Sequence, residues 1–202
     1  MSGRILSIVC AAVALFSSVS PVSAQAPATA TSPAPAPVAP PPPQEIEVGR
    51  IAPDFTMQVA DSSGVRATPV TLSSLKGNVV VLAFYPRDRS SGCTAELTKF
   101  RDEYDKLFGS EVVVLPISVD SASTHATWAR EMKFPFALGS DPALEAARQY
   151  GSYIPGRATS TRTVFVIGKD GRILWRNLRF GALNEGAYTE LAAEVAKARA
   201  GS

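Results

Sequence analysis

Among side chains able to act as a nucleophile, Cys93 is the one whose neighbourhood suggests chemistry. Before it runs an apolar, β-favouring stretch, Val79 to Tyr85, then the loop Pro86-Arg87-Asp88-Arg89-Ser90-Ser91-Gly92. After it, Leu97, Phe100, Tyr104, Leu107 and Phe108 recur at three- and four-residue steps, one face of an amphipathic helix. A cysteine at such a strand-to-helix junction meets unpaired N–H groups, which favour thiolate over thiol. An ordinary cysteine is only about 3% thiolate at neutral pH, so complete ionisation gains about thirty-fold in the reactive form. A fast reaction therefore also requires charge on the substrate to be stabilised. The competing reading is structural: Cys93 lies four residues before Leu97 on the apolar stripe and would serve as a small core side chain.

The other candidates carry less on their own. His125 is the single histidine and stands in a Ser-Thr-His stretch without ligand spacing, which points to a capping or surface role rather than a metal. Arg162 is one of a group with Arg157, Arg172, Arg176 and Arg179, and arginines so placed are ordinarily solvated. Trp128 and Trp175 read as packing residues.

The elements that must position Cys93 follow from pattern. Val79 to Tyr85 and Glu111 to Val119 read as buried strands, and Cys93 to Phe108 as a helix ended by Gly109. Ser123 to Lys133 predicts a helix; Asp141-Pro142 predicts another through Tyr150, with Asp as cap and Pro in the first position. Thr163 to Ile167 and Arg172 to Trp175 form a hairpin across Gly168-Lys169-Asp170-Gly171. Tyr188, Leu191, Val195 and Ala198 mark a last helix after Asn184, and Ile51 to Leu75 predicts edge strands. This order, βαβ followed by ββα, is the thioredoxin-like α/β arrangement, a central mixed sheet flanked by helices.

Composition divides the chain. Of 202 residues, 38 are charged, and only Arg4 precedes Glu45; nine of the 16 prolines lie between Pro21 and Pro43. Residues 1–24 read as a secretory signal peptide: Arg4, an apolar run from Ile5 to Phe16, then Val22-Ser23-Ala24 before a cleavage point. Twelve helical residues rise about 18 Å, short of the roughly 30 Å of a bilayer core. An uncleaved anchor is the alternative, since the run extends towards Val22. Residues 25–44 form a Pro/Ala-rich disordered linker, and residues 45–202 a single domain. The net charge of +2 argues against nucleic acid and polybasic membrane binding. Two cysteines exclude a disulfide-rich scaffold, and Cys10 lies in the segment expected to be removed. Stable membrane insertion after cleavage is not expected, and the expected location is the periplasm.

The letters around Cys93 are specific. Pro86-x-x-x-Ser90-x-x-Cys93 resembles the peroxiredoxin active-site signature, and Phe84-Tyr85-Pro86-Arg87-Asp88 with Gly92-Cys93-Thr94-Ala95-Glu96 is similar to the bacterioferritin-comigratory, or PrxQ-like, branch of the AhpC/TSA superfamily. Ala52-Pro53-Asp54-Phe55, Leu75-Lys76-Gly77, Ser118-Val119-Asp120-Ser121, Ser140-Asp141-Pro142 and Arg162-Thr163-Val164-Phe165 extend the likeness over residues 48–177. The resemblance implies the peroxiredoxin variant of the fold and a thiol-dependent peroxidase. Cys93 would attack a hydroperoxide and become a sulfenic acid. Ser90 would hydrogen-bond the sulfur and the peroxide, Pro86 would exclude water, and Arg162 would stabilise the lengthening O–O bond. Backbone N–H groups of Gly92 and Cys93 would complete the oxygen pocket. Glu96 would either orient the arginine or favour the first helical turn.

No cofactor is implied; the partners are a hydroperoxide and an external thiol reductant, a thioredoxin-like protein or a small thiol. Thr98 stands where many relatives carry a resolving cysteine, so the mature chain reads as a one-cysteine enzyme. Arg89 and Ser91 replace the branch's Phe and Pro, which makes the loop more polar and more mobile. The alternative function is a peroxide or redox sensor, or a weakened binding module on the same fold. A thiol–disulfide oxidoreductase lacks its Cys-x-x-Cys, and a copper metallochaperone its Cys-x-x-x-Cys. Related proteins of this branch are often monomers, and a monomer or weak dimer is expected.

Overall fold

The computed structural model describes residues 46–201. The expected signal peptide and linker lie outside them, and so does the question of an anchor. Among the described residues no helix is long and apolar enough to cross a membrane.

Eight strands form one mixed sheet: β1 Thr56–Asp61, β2 Gly64–Val65, β3 Val70–Thr71, β4 Val79–Phe84, β5 Val112–Ser118, β6 Leu138–Ser140, β7 Thr163–Ile167 and β8 Ile173–Asn177. Their order is β2-β1-β6-β5-β4-β7-β8, with β3 paired to β1. β4 runs parallel to β5 and antiparallel to β7, so its C-terminal end opens between two differently directed neighbours. Among the described residues, five α-helices accompany the sheet: α1 Ser91–Asp102, α2 Tyr104–Leu107, α3 Ala122–Met132, α4 Glu145–Gln149 and α5 Glu185–Ala200.

β4 is buried along its whole length, as its unbroken apolar run requires. Alternation divides it between two cores. Val79, Val81, Ala83 and Tyr85 face Cys93, Leu97 and Phe100 of α1, Trp128 of α3, and Leu191 and Val195 of α5. Val80, Leu82 and Phe84 face Phe55, Leu72, and Ala146 and Ala147 of α4. Cys93 is thus reached from one layer only, beneath α1 and α5. Trp128 is core, and Trp175 is half-buried beside it with its indole N–H on Glu190.

Four expectations change. The first helix begins at Ser91, two residues early, and breaks at Glu103; α2 then lets Tyr104 stack on Phe136 and donate to the Val112 carbonyl. β1 is no edge strand: it lies between β2 and β6. The Leu-Gly-Ser strand β6 went unpredicted because three residues around a glycine carry no strand period. Finally, α4 starts at Glu145 rather than Pro142. A turn closed by Leu144 N–H on the Asp141 carbonyl comes first, with Leu144 at φ 57°. Leu144, not Asp141, is the N-cap residue, but the Asp141 carboxylate still accepts from the N–H groups of Glu145 and Ala147.

Candidate active site

The loop after β4 delivers Cys93 into the third position of α1, with Ser90 as extended N-cap. Its side chain is fully buried in the α1/α5 core. Arg162, in the segment leading into β7, points its guanidinium at it: Nη2 donates to Cys93 Sγ at 3.3 Å. The neighbouring strands β4 and β7 fix this approach, because one ends and the other begins at the Phe84–Thr163 pair. A guanidinium against sulfur is a charge-assisted donor and sets a permanent positive charge beside the nucleophile. Cys93 is therefore both a core residue and the acceptor of a cation, so the two readings of its sequence position are not exclusive.

The second amino group of Arg162, Nη1, donates to Glu96 Oε2. Glu96 is completely buried, and its Oε1 is the one buried side-chain oxygen or nitrogen among the described residues without a hydrogen-bond partner. Burial raises the Glu96 carboxyl to about 7, against the opposing pull of Arg162. Burial disfavours the Arg162 charge as well, but Glu96 and Cys93 outweigh it and raise that group. Because α1 starts at Ser91, Glu96 lies in the second turn; it orients the arginine, and the alternative of a first-turn acid is corrected.

Gly92 is half-buried against the same guanidinium, and a Cβ there would stand 3.2 Å from Arg162 Nη2. Pro86 is half-buried at the end of β4, its carbonyl accepting from Thr159 Oγ1 at 2.7 Å. Ser160 donates in the same way to the Tyr85 carbonyl. Ser90 is exposed, and its hydroxyl donates to the Arg87 carbonyl at 3.2 Å instead of to the sulfur. No side chain caps α1, so its first N–H groups remain for another oxygen. Arg89 holds φ 59° and pairs with Glu131 of α3 at 2.8 Å. Thr98 is half-buried on α1.

His125 corrects its expectation outright. It is fully buried, neither cap nor surface, and both ring nitrogens are engaged, Nδ1 with Asp88 Oδ2 at 3.0 Å and Nε2 with the Gly139 carbonyl at 3.1 Å. Sequence reasoning also passed over Asp88, buried and accepting from Tyr85 Oη at 2.7 Å. Its place in an otherwise polar loop hides it; a signal was available in the only histidine standing on the apolar side of an amphipathic helix. Among the described residues no cluster of three or more His, Cys, Asp or Glu is arranged to hold a metal.

The profile of the AhpC/TSA family matches residues 48–176, a segment that carries Pro86, Ser90, Cys93 and Arg162 together. The chain belongs to the AhpC/TSA family. Within it, the chain is 37% identical over 134 residues to a putative peroxiredoxin bcp of Coxiella burnetii, covering 63% of this chain and 85% of that one. It is 35% identical to the chloroplastic peroxiredoxin Q of Sedum lineare, over 63% of this chain and 66% of the relative. Peroxiredoxin Bcp of Bacillus subtilis is 32% identical, with 66% and 87% covered. Among solved structures, peroxidoxin BcpB from Mycobacterium tuberculosis superposes with a TM-score of 0.64 at 28% identity, over 76% of this chain and 98% of that one. Enterococcus faecalis AhpC, at 23% identity and a TM-score of 0.67 over 79% and 98%, shows the shared fold. The thioredoxin-like mixed sheet with flanking helices is thus the peroxiredoxin arrangement.

Proposed function

We propose that this AhpC/TSA-family chain is a thiol-dependent peroxidase of one-cysteine type, working in the periplasm after loss of its N-terminal segment. The observation that carries the reading is the 3.3 Å contact of Arg162 Nη2 with Cys93 Sγ. A thiolate held there attacks the terminal oxygen of a hydroperoxide. The S–O bond forms as the O–O bond breaks, and the electron pair leaves on the alkoxide or hydroxide, which takes up a proton. Arg162 is placed to follow the charge from sulfur to the leaving oxygen. The uncapped N–H groups of Gly92 and Cys93 are donors for the oxygen being attacked. Pro86 excludes water, and Ser90 supplies a hydroxyl once it turns from the Arg87 carbonyl. Cys93 is fully buried with the half-buried Arg162 against its sulfur, so a hydroperoxide reaches it only when the surrounding side chains yield.

The sulfenic acid has no resolving cysteine beside it, since Cys93 is the only cysteine after Cys10. An external thiol condenses with it, releasing water, and a second thiol frees Cys93 as the donor disulfide. The charged-residue asymmetry and apolar leader support the periplasmic placement, where a thioredoxin-like donor is the fitting partner and glutathione is scarce. The test is one turnover: reduced protein receives one equivalent of hydrogen peroxide and then a sulfenic-acid probe. Cys93 is expected to be labelled in the wild type, with peroxide loss abolished in Cys93→Ser; equal consumption by that variant overturns the reading.

A further inference from the structure

Asp88 and His125 contribute nothing to the peroxide chemistry described above, yet they are among the few polar side chains sealed inside the domain. Their partners come from the end of β4, from α3, from β6 and from the turn after β5. Asp88 Oδ1 accepts from Tyr85 Oη at the end of β4 at 2.7 Å, and Oδ2 faces His125 Nδ1 on α3 at 3.0 Å. Its own N–H donates to Asp120 Oδ2 at 2.8 Å, an oxygen that also accepts from Ser118 Oγ on β5. His125 Nε2 completes the chain on the carbonyl of Gly139 in β6 at 3.1 Å. That carbonyl can only accept, so Nε2 carries a hydrogen. Gly139 is paired with Val59 of β1 and Ile117 of β5, so its carbonyl is held within the sheet.

The next residue, Arg89, takes the left-handed conformation at φ 59°, which a non-glycine residue keeps only where its surroundings fix it. From there the chain passes through Ser90 and Gly92 to the sulfur. α3 grips this loop twice, by His125 on Asp88 inside and by Glu131 on Arg89 outside.

We propose that His125 is a positioning residue: by holding Asp88 from α3 it sets the height of the loop that presents Ser90, Gly92 and Cys93 to Arg162. The proposal rests on the peroxidase reading for its rate measurements, but the contact it names is independent of it. An asparagine places an amide donor where Nδ1 stands and a glutamine places one where Nε2 stands. His125→Asn therefore keeps the Asp88 contact and loses Gly139, whereas His125→Gln does the reverse.

The experiment compares the two in full-length folded protein, by the second-order rate of sulfenic acid formation, by alkylation of Cys93 with iodoacetamide, and by thermal unfolding. Both variants are expected to unfold at lower temperature. His125→Gln should lose about tenfold or more in peroxide rate while His125→Asn stays within about threefold of wild type, the size of effect a displaced nucleophile produces. Alkylation should separate the two variants in the same order, and it does so even if peroxide is not the substrate. Equal rates in the two folded variants overturn the proposal. If neither variant folds, Asp88→Asn decides: its amide reproduces the contacts to Tyr85 and to a neutral His125. Reaction within about threefold of wild type supports a positioning role, and a tenfold loss in that isosteric variant refutes it.

Discussion

Glu96 and Asp88 are both carboxylates shut away from solvent, one on each side of Cys93 in the chain, and they are housed in opposite ways. Asp88 has each oxygen in a hydrogen bond, one with Tyr85 and one with His125, and His125 in turn closes on the backbone. Glu96 has one oxygen on Arg162 and the other facing nothing among the described residues. A buried polar group with all partners in place rigidifies its surroundings, whereas one left short stores free energy of roughly 1–3 kcal/mol. The fully satisfied pair lies under the loop, where position matters. The short one lies behind the arginine, where charge must move during reaction. Residues next to a reacting sulfur are thus the ones allowed to be electrostatically incomplete.

The harshest way to break this comparison is to remove the shared cation. Arg162→Met keeps most of the side-chain bulk but leaves both Cys93 and Glu96 without it, and burial then drives the Glu96 carboxyl above its present value near 7. Peroxide reactivity should fall by about 10²–10³, the range for deleting a donor to developing charge. Arg162→Lys should recover little, because a single ammonium does not reach sulfur and carboxylate together. Stopped-flow measurement of sulfenic acid formation checks both; a loss of less than about fivefold in Arg162→Met would show that the helix start alone carries the reaction.

A gentler test acts on the incomplete pair. The raised carboxyl means that folded protein holds a proton which the unfolded chain has already released between the ordinary value of 4.5 and about 7. The folded state binds more protons in that window, so stability falls as pH rises through it, by on the order of a few kcal/mol in all. Glu96→Gln removes the titration. It should match the wild type near pH 4 and exceed it in urea unfolding at pH 8 by on the order of 1–3 kcal/mol. The peroxide rate of the wild type should also inflect near neutrality as Glu96 ionises and competes for Arg162, and this inflection should be missing from the variant. Identical pH–stability curves would mean that Glu96 is ordinarily ionised in the fold.

Much of this is legible in the amino-acid sequence, and what is not shares a physical cause. β4, β7 and α5 were readable because each is long or apolar enough for period to identify it, and the Asn184 cap stood where it was expected. β6 was not, since its place depends on β1 and β5 arriving on either side. Cys93 could be singled out from its junction, while Arg162 needed the family motif, because nothing local separates it from Arg157 or Arg179. His125 was misread for the opposite reason. A polar letter near a helix start suggests the surface, but its hydrogen-bond partners come from residues 37 and 14 positions away, and no local rule anticipates them. Charge pairs between distant segments are properties of the topology.

The smallest expected effect probes how closely the cation must seat. Gly92 is the second residue of α1, where alanine is favoured over glycine by up to about 1 kcal/mol. It has an ordinary negative φ, so Gly92→Ala brings no backbone strain. Its Cβ would nevertheless stand 3.2 Å from Arg162 Nη2, tight enough to move the guanidinium by a few tenths of an ångström from the sulfur. The variant should therefore unfold at the same or a slightly higher temperature and form sulfenic acid about two- to fivefold more slowly. Rate and stability changing in opposite directions would place the cost in the geometry between Arg162 and Cys93. An unchanged rate would show that the guanidinium can yield without consequence, and the contrast between a tolerant arginine and a rigidly held loop would then become sharper.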